Sequence, residues 1–361
     1  MKYAVPLIVA LLLLTSCASD DSITIGWYGP LSGPAAFLGV NNLNGVKLAV
    51  ADINAQGGIN GKQVKLITED DQMDPKISVD VFQKMTSVDG VNFILSPSYS
   101  GILAASAQAE GNTVLISSLD SSHELADAGD WVFGAGVYDE AIGYVLAEFT
   151  KENIGDNAAV LYNVEEAFTS IAKSAFLERF RELNGTAVAY EYTFDTDDFR
   201  TVLTKVKESD VDALAIIGYD EAALAFKQAK EIGLKAQLLG IDTATSQNFM
   251  DSAGDSIVGM YLTSWVAESE SYNAMAEKYK AAYNEEPEVP LSVAVGYDST
   301  MVLAEALKAG TDPETLKNAI YKVKDLEGVT GTLTMSEDGI IRTILEEMYI
   351  MKENGVYERV E

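Results

Sequence analysis

His123 is the only histidine and Cys17 the only cysteine in 361 residues. Those two counts remove much side-chain chemistry at once. A Ser-His-Asp relay would have to use His123, a zinc site could not draw on two histidines, and a thiol nucleophile would have to be Cys17. Phosphate chemistry fares no better. To be a P-loop, Gly57-Gly58-Ile59-Asn60-Gly61-Lys62 would need glycine at Gln56 and Ser or Thr at Gln63. Gly134-Ala135-Gly136 follows a strand-like run, but Asp139 stands where a dinucleotide fingerprint needs its third glycine. Glu69, Asp70, Asp71 and Asp74 offer oxygen ligands to a hard cation, yet lack the glycine and closing glutamate of a calcium loop. A strand end feeding a helix cap explains them. No metal, cofactor or catalytic residue is expected. What remains is binding chemistry. The turns Ser96-Pro97-Ser98-Tyr99-Ser100-Gly101 and Ser117-Ser118-Leu119-Asp120-Ser121-Ser122 are rich in hydroxyl donors, and Gly240-Ile241-Asp242-Thr243 ends a strand with a carboxylate. Each serine alone reads equally well as a helix cap, and so does Asp242, ahead of Ser246–Met250.

These turns need elements to hold them. Short apolar, β-branched runs (Ile23–Tyr28, Gln63–Thr68, Asn92–Ser96, Thr113–Ser117, Trp131–Gly134, then Ala158–Tyr162, Ala187–Phe194, Ala213–Gly218, Gln237–Ile241, Val258–Ser264) alternate with stretches of helical period. Near-continuous apolar runs are expected of parallel strands covered on both faces. In Asn42–Ala55, Val46, Ala49, Val50 and Ile53 share one helical face, which reads as core packing. Asp74-Pro75 and Asp312-Pro313 read as helix starts, Gly185 and Gly233 as helix stops. Alternating strand and helix predicts parallel sheets with right-handed crossovers. There are too many strands for one compact unit, so two similar α/β lobes are expected. Ser271–Lys324 reads as mostly helical, and Gly331–Met335 and Met348–Lys352 as late strands.

The N-terminus is an address. Met1-Lys2-Tyr3 gives a positive start and Ala4–Leu14 an apolar run of 11 residues. That length suits a signal peptide and is short of the roughly 20 residues of a membrane-spanning helix. Leu14-Thr15-Ser16-Cys17 resembles the lipobox of bacterial lipoproteins, which implies cleavage before Cys17 and lipidation of its thiol. Lipidation also explains an odd cysteine in an exported chain. The chain is then extracytoplasmic, in the periplasm or at the cell surface, and held to the membrane through its lipid anchor only. With 25 Lys and Arg against 55 Asp and Glu, the formal net charge is −30. That excludes nucleic acid as a partner and makes anionic lipid surfaces repulsive. Hydrophobic residues at 48% supply substantial cores.

Four segments point together: Gly29-Pro30-Leu31-Ser32-Gly33-Pro34, Asp52 through Gly61, Asp70-Asp71-Gln72-Met73-Asp74-Pro75 and Gln228 through Leu234. Their set and order resemble the leucine/isoleucine/valine-binding proteins, the type I periplasmic solute-binding proteins of ABC importers. The resemblance covers Ile23 to the C-terminus. It implies an α/β fold of two Rossmann-like lobes joined by a three-stranded hinge, with the ligand between them. The implied division is a leader over 1–16, a lipidated spacer over 17–22, a first lobe of 23–138 plus 266–337, and a second of 139–265 plus 338–361. Crossings fall near Tyr138, Trp265 and Glu337. The implied partners are a small-molecule ligand, most simply a branched-chain amino acid, and an ABC permease, with the chain acting as a monomer.

A zwitterion asks for donors around its carboxylate and a carboxylate or carbonyls around its ammonium. The resemblance places carboxylate binding in the two serine-rich turns. Ser98 and Ser100 flank the family's serine position, here Tyr99, and Ser121 stands where the family has threonine. Leu119 offers its carbonyl to the ammonium. Asp242 replaces the glutamate that meets the ammonium, and Asp120 is a second candidate anion. Phe168 and Tyr219 lie near the family's aromatic positions. Phe37 and Leu38 lie where a leucine-type pocket often has tryptophan. Ala167 and Gly218 stand at apparent tyrosine positions, so the pocket shape departs from the family, which also includes binders of amides, urea and aromatic acids. Two other classes compete. One is a sensory receptor domain feeding a signalling partner. The other is a surface hydrolase, against which the single histidine argues.

Overall fold

In the computed structural model, residues 22–33, 35–265, 269–344 and 346–360 are described. Cys17 and the leader lie outside them. A five-stranded parallel sheet takes, in spatial order, Val64–Asp70, Ile23–Gly29, Phe93–Ser96, Val114–Ser117 and Val132–Gly134. A seven-stranded sheet takes Tyr357–Arg359, Glu347–Met351, Tyr261–Ser264, Gln237–Gly240, Ala213–Ile217, Asn157–Asn163 and Thr186–Tyr192, its first two strands antiparallel. Helices cover the sheets: Ala167–Glu182 buries one face, and Ala36–Ala55 is buried on most sides over its first half. That covering explains the strand patterns. Central Ala213–Ile217 is buried throughout, whereas Thr186–Tyr192, at an edge, keeps partners on one side only and leaves Val188 exposed.

The capping signals act as the sequence predicts at two helices. The Asp74 carboxylate accepts from the amides of Lys76 (2.8 Å) and Ile77 (3.3 Å), and that of Asp312 from Thr315 (3.0 Å). Asp70 and Asp71 stitch the preceding turn, taking the amides of Leu31 and Met73 and the hydroxyls of Ser32 and Ser78. The helix stop expected at Gly185 is one residue early. Asn184 carries the left-handed backbone (φ 63°), and Gly185 is small because a Cβ there would lie 2.4 Å from the Phe180 ring. At Gly233 the positive φ of 67° matches the expectation.

The late helix Pro290–Leu307 packs along Ala36–Ala55, far apart in sequence. Gly45 and Gly296 permit the approach. A Cβ on Gly45 would lie 2.0 Å from the Val293 carbonyl oxygen, and one on Gly296 2.4 Å from that of Asn42. Both obstacles are backbone, so neither can swing away. Gly45→Ala is expected to destabilise the chain by about 3 kcal/mol, at the upper end of overpacking costs, read as a lower urea midpoint with unchanged slope. An unchanged midpoint would mean the helices part without cost.

Three stretches link the two sheets. Gly134 donates to Gly339 and accepts from Ile341 (2.8 Å), Tyr138 donates to Ile344 (3.1 Å), and Ser264 pairs with Glu347. Among the described residues no helix is long and apolar enough to cross a membrane.

Candidate functional site

Between the carboxyl ends of the two sheets lies a cavity of about 420 Å³, counting its mouth. This is where open parallel sheets leave ligand space. Its first wall is set by Asn42. The Asn42 amide donates to the Ser118 carbonyl (2.8 Å), while its oxygen accepts from Trp27 Nε1 (3.0 Å) and Ser118 Oγ (2.8 Å). All three residues are buried. The network clamps the turn that carries Leu119 and Asp120 into the cavity, beside Leu38. From the start of Pro290–Leu307 come Leu291 and Ser292, with Val289 just ahead.

The opposite wall comes from strand ends and helix starts of the second sheet. Tyr219 follows Ala213–Ile217, and Asp242 and Thr243 follow Gln237–Gly240. Phe168 starts its helix and leans on Tyr219, ring centroids 6.4 Å apart; Phe194 stacks on Tyr219 at 5.9 Å. Val137, Asp139 and Ile142 come from the first linking stretch and the helix after it, Glu346 from the third.

Six sequence-predicted residues therefore meet in one cavity: Leu38, Leu119, Asp120, Phe168, Tyr219 and Asp242. Ser98, Tyr99, Ser100 and Ser121 do not line it. Ser121 Oγ donates to the Ile341 carbonyl (2.6 Å), tying the turn to the hinge. Ser100 Oγ donates to Glu166 (3.0 Å), and the Tyr99 hydroxyl meets Ser122. Ser98 stands at the cap position of its helix, buried, with no side-chain capping bond. Nor is Asp242 a helix cap: Ser246 holds that role for Gln247–Ala253, accepting from the Phe249 amide at 3.1 Å.

Asp139, Glu346, Val289, Leu291 and Ser292 escape sequence reasoning. The expected binding residues all lie in turns, just after a strand or at the start of a helix. Asp139 follows the two-residue strand Val137–Tyr138, and Glu346 precedes its strand instead. Pro290 at a helix start was the one available sign of the Leu291 wall.

The electrostatics are lopsided. Asp120, Asp139, Asp242 and Glu346 line the cavity with no Lys, Arg or His among their neighbours in the lining. Both oxygens of Asp139, both of Glu346 and Oδ1 of Asp242 are buried without a hydrogen-bond partner. Burial, and then the neighbouring carboxylates, hold Asp120, Asp139 and Glu346 well above the usual carboxylate range. Burial also pushes Asp242 to about 6, against the lowering effect of the Thr243 amide and of Glu346 beside it. Glu166, at the edge where Ser100 meets it, is raised to about 7 by burial. Of the three lining residues with a hydroxyl, two spend it on backbone, Thr243 on the Gly218 carbonyl (2.6 Å) and Ser292 on that of Leu38 (2.9 Å); the third is Tyr219. Among the described residues no group of three or more His, Cys, Asp or Glu is set to hold a metal ion. The acids are spread along the cavity lining instead of converging on a point.

Two α/β units with a cavity between their strand ends have the architecture of a solute-binding protein. The comparisons give the family. Residues 22–354 match the periplasmic binding protein family model, and the chain belongs to that family, in its type I, Leu/Ile/Val-binding-like branch. It is 30% identical over 333 residues to the leucine-, isoleucine-, valine-, threonine- and alanine-binding protein of Pseudomonas aeruginosa, covering 89% of this chain and 88% of that one. The branched-chain amino acid transporter substrate-binding protein LivJ of Streptococcus pneumoniae, solved with isoleucine, superposes with a TM-score of 0.81 at 27% identity, over 94% of this chain and 99% of that one. A solute-binding protein of Rhodopseudomonas palustris solved with 3,4-dihydroxybenzoic acid shares the fold (TM-score 0.79, 22% identity, 94% and 96% covered).

Proposed function

We propose that this chain is the ligand-capturing component of an ABC importer. In this reading it is anchored outside the cytoplasm by lipid on Cys17, acts as a monomer, and hands its ligand unchanged to a membrane permease. The ligand is a small molecule with a protonated amine on a short aliphatic body. The observation that carries this is the composition of one cavity. Leu38, Leu119, Val137, Ile142, Val289 and Leu291 suit an aliphatic chain, Phe168 and Tyr219 cover it, and Asp242 and its neighbours present unpartnered oxygens to an ammonium. Relatives bind branched-chain amino acids, which carry such an ammonium on an aliphatic body, so these belong in the panel beside other amines. Ligand touching both walls at once would stabilise the closed form over the open one.

Thermal unfolding of the full chain in mild detergent, against amino acids, amides, amines and aromatic acids, tests the class. A ligand at 1,000 times its dissociation constant adds about 4 kcal/mol and is expected to raise the midpoint by several degrees. The test requires the compound to be recovered intact. Conversion into a product would contradict the reading, as would a shift produced only by compounds without an amine.

A further inference from the structure

The cavity has more carboxyl groups than the single ammonium of an amino acid can use. Resting on the reading of this cleft as an amine site, we infer that its ligand is a dication without a carboxylate: a short aliphatic chain with two protonated amine or amidine groups. An amino acid's ammonium would find Asp242, but its carboxylate would sit among the three other acids. No cation lines the cavity, and the lining hydroxyls of Thr243 and Ser292 already donate to backbone, which leaves the Tyr219 hydroxyl as the one side-chain donor other than the acids themselves for a carboxylate. The serines expected to take a carboxylate are turned to other work, Ser121 on the hinge and Ser100 on Glu166.

The positions of the acids carry the argument further. Asp120 comes from the first wall and Asp242 from the second, while Asp139 opens the helix after the first linking stretch and Glu346 sits on the third. Asp139 is fully buried with neither carboxyl oxygen hydrogen-bonded, and Glu346, 3% exposed, lies against Asp242 and Thr263 with no cation beside it. Buried charged groups of one sign persist only where something opposite in charge completes them. Two cationic ends separated by a few methylenes would match acids spread over two walls, with the methylenes against Leu119, Ile142 and Leu291. Such a ligand also accounts for closure. Bringing the walls together gathers like charges, and a dication turns that repulsion into attraction.

The test is calorimetric titration of the full chain with 1,4-diaminobutane, 1,5-diaminopentane, n-pentylamine, lysine and leucine. A diamine is expected to bind at least tenfold more tightly than leucine or lysine, and more tightly than n-pentylamine. The Asp139→Asn/Glu346→Gln double variant is expected to lose most of that preference; circular dichroism and a melting curve establish that it remains folded, and the single variants serve if it does not. Leucine or lysine binding more tightly than both diamines overturns the inference and leaves the amine receptor standing. A diamine preference that survives in folded variants overturns the assignment to these acids. Binding of none of the five overturns the inference and the amine-receptor reading together.

Discussion

Asp242→Asn is expected to weaken ligand binding by about 30- to 1,000-fold while leaving the chain folded. The substitution keeps size and shape and removes one buried charge. Truncating one partner of a buried, hydrogen-bonded charge pair costs about 2–5 kcal/mol, and every 1.4 kcal/mol is tenfold in affinity. The buried Oδ1 makes the site specific, because it accepts no hydrogen bond of good geometry from the protein and its neighbour Glu346 is another acid. The Thr245 hydroxyl, which donates to the Asp242 backbone carbonyl at 2.6 Å, keeps the turn in place whatever the side chain. Titration of both proteins with one ligand, alongside melting curves, checks the result. Equal affinities would remove Asp242 from the site.

Without ligand, the protein is expected to lose stability as pH rises from 5 to 8, and Asp139→Asn is expected to flatten that slope. Asp242 is raised to about 6 and Glu166 to about 7, and Asp120, Asp139 and Glu346 are raised too. A carboxyl whose folded pKa exceeds its unfolded one, about 4, binds more protons folded than unfolded across that window. Stability therefore falls as pH climbs from about 4 through the folded value, and the whole penalty stands above it. For Asp242 alone, two pKa units are about 3 kcal/mol; Tyr219 and Tyr357 face it as well and stay neutral here. Coupling among the acids makes the group total less than a sum. A midpoint roughly 5 °C lower at pH 8 than at pH 5 is expected. The surface, at net −30, adds a slope of the same sign, so the comparison with Asp139→Asn isolates the cleft. Identical slopes would mean the cleft acids titrate normally.

The fold was largely legible because its signals are local. Apolar runs such as Ala213–Gly218 read as buried strands whatever packs on them, and Asp-Pro pairs mark helix starts through one side chain and one fixed φ. The site was legible where it follows a long strand: Asp120, Tyr219 and Asp242. It was illegible where a side chain's direction depends on tertiary partners. Ser121 turns to the hinge because Ile341 brings a carbonyl within reach from 220 residues away. Asp139 and Glu346 join the cavity only because linking stretches distant in sequence run side by side. An isolated acid next to a two-residue strand carries no sign of that.

The most direct test of ligand capture is titration calorimetry of the full chain with an amine ligand found by the thermal panel, followed by mass spectrometry of the recovered compound. One molecule bound per chain, returned unchanged, and binding lost in Asp242→Asn is the predicted result. Undiminished binding in that variant, or recovery of a converted product, would contradict capture in this cleft.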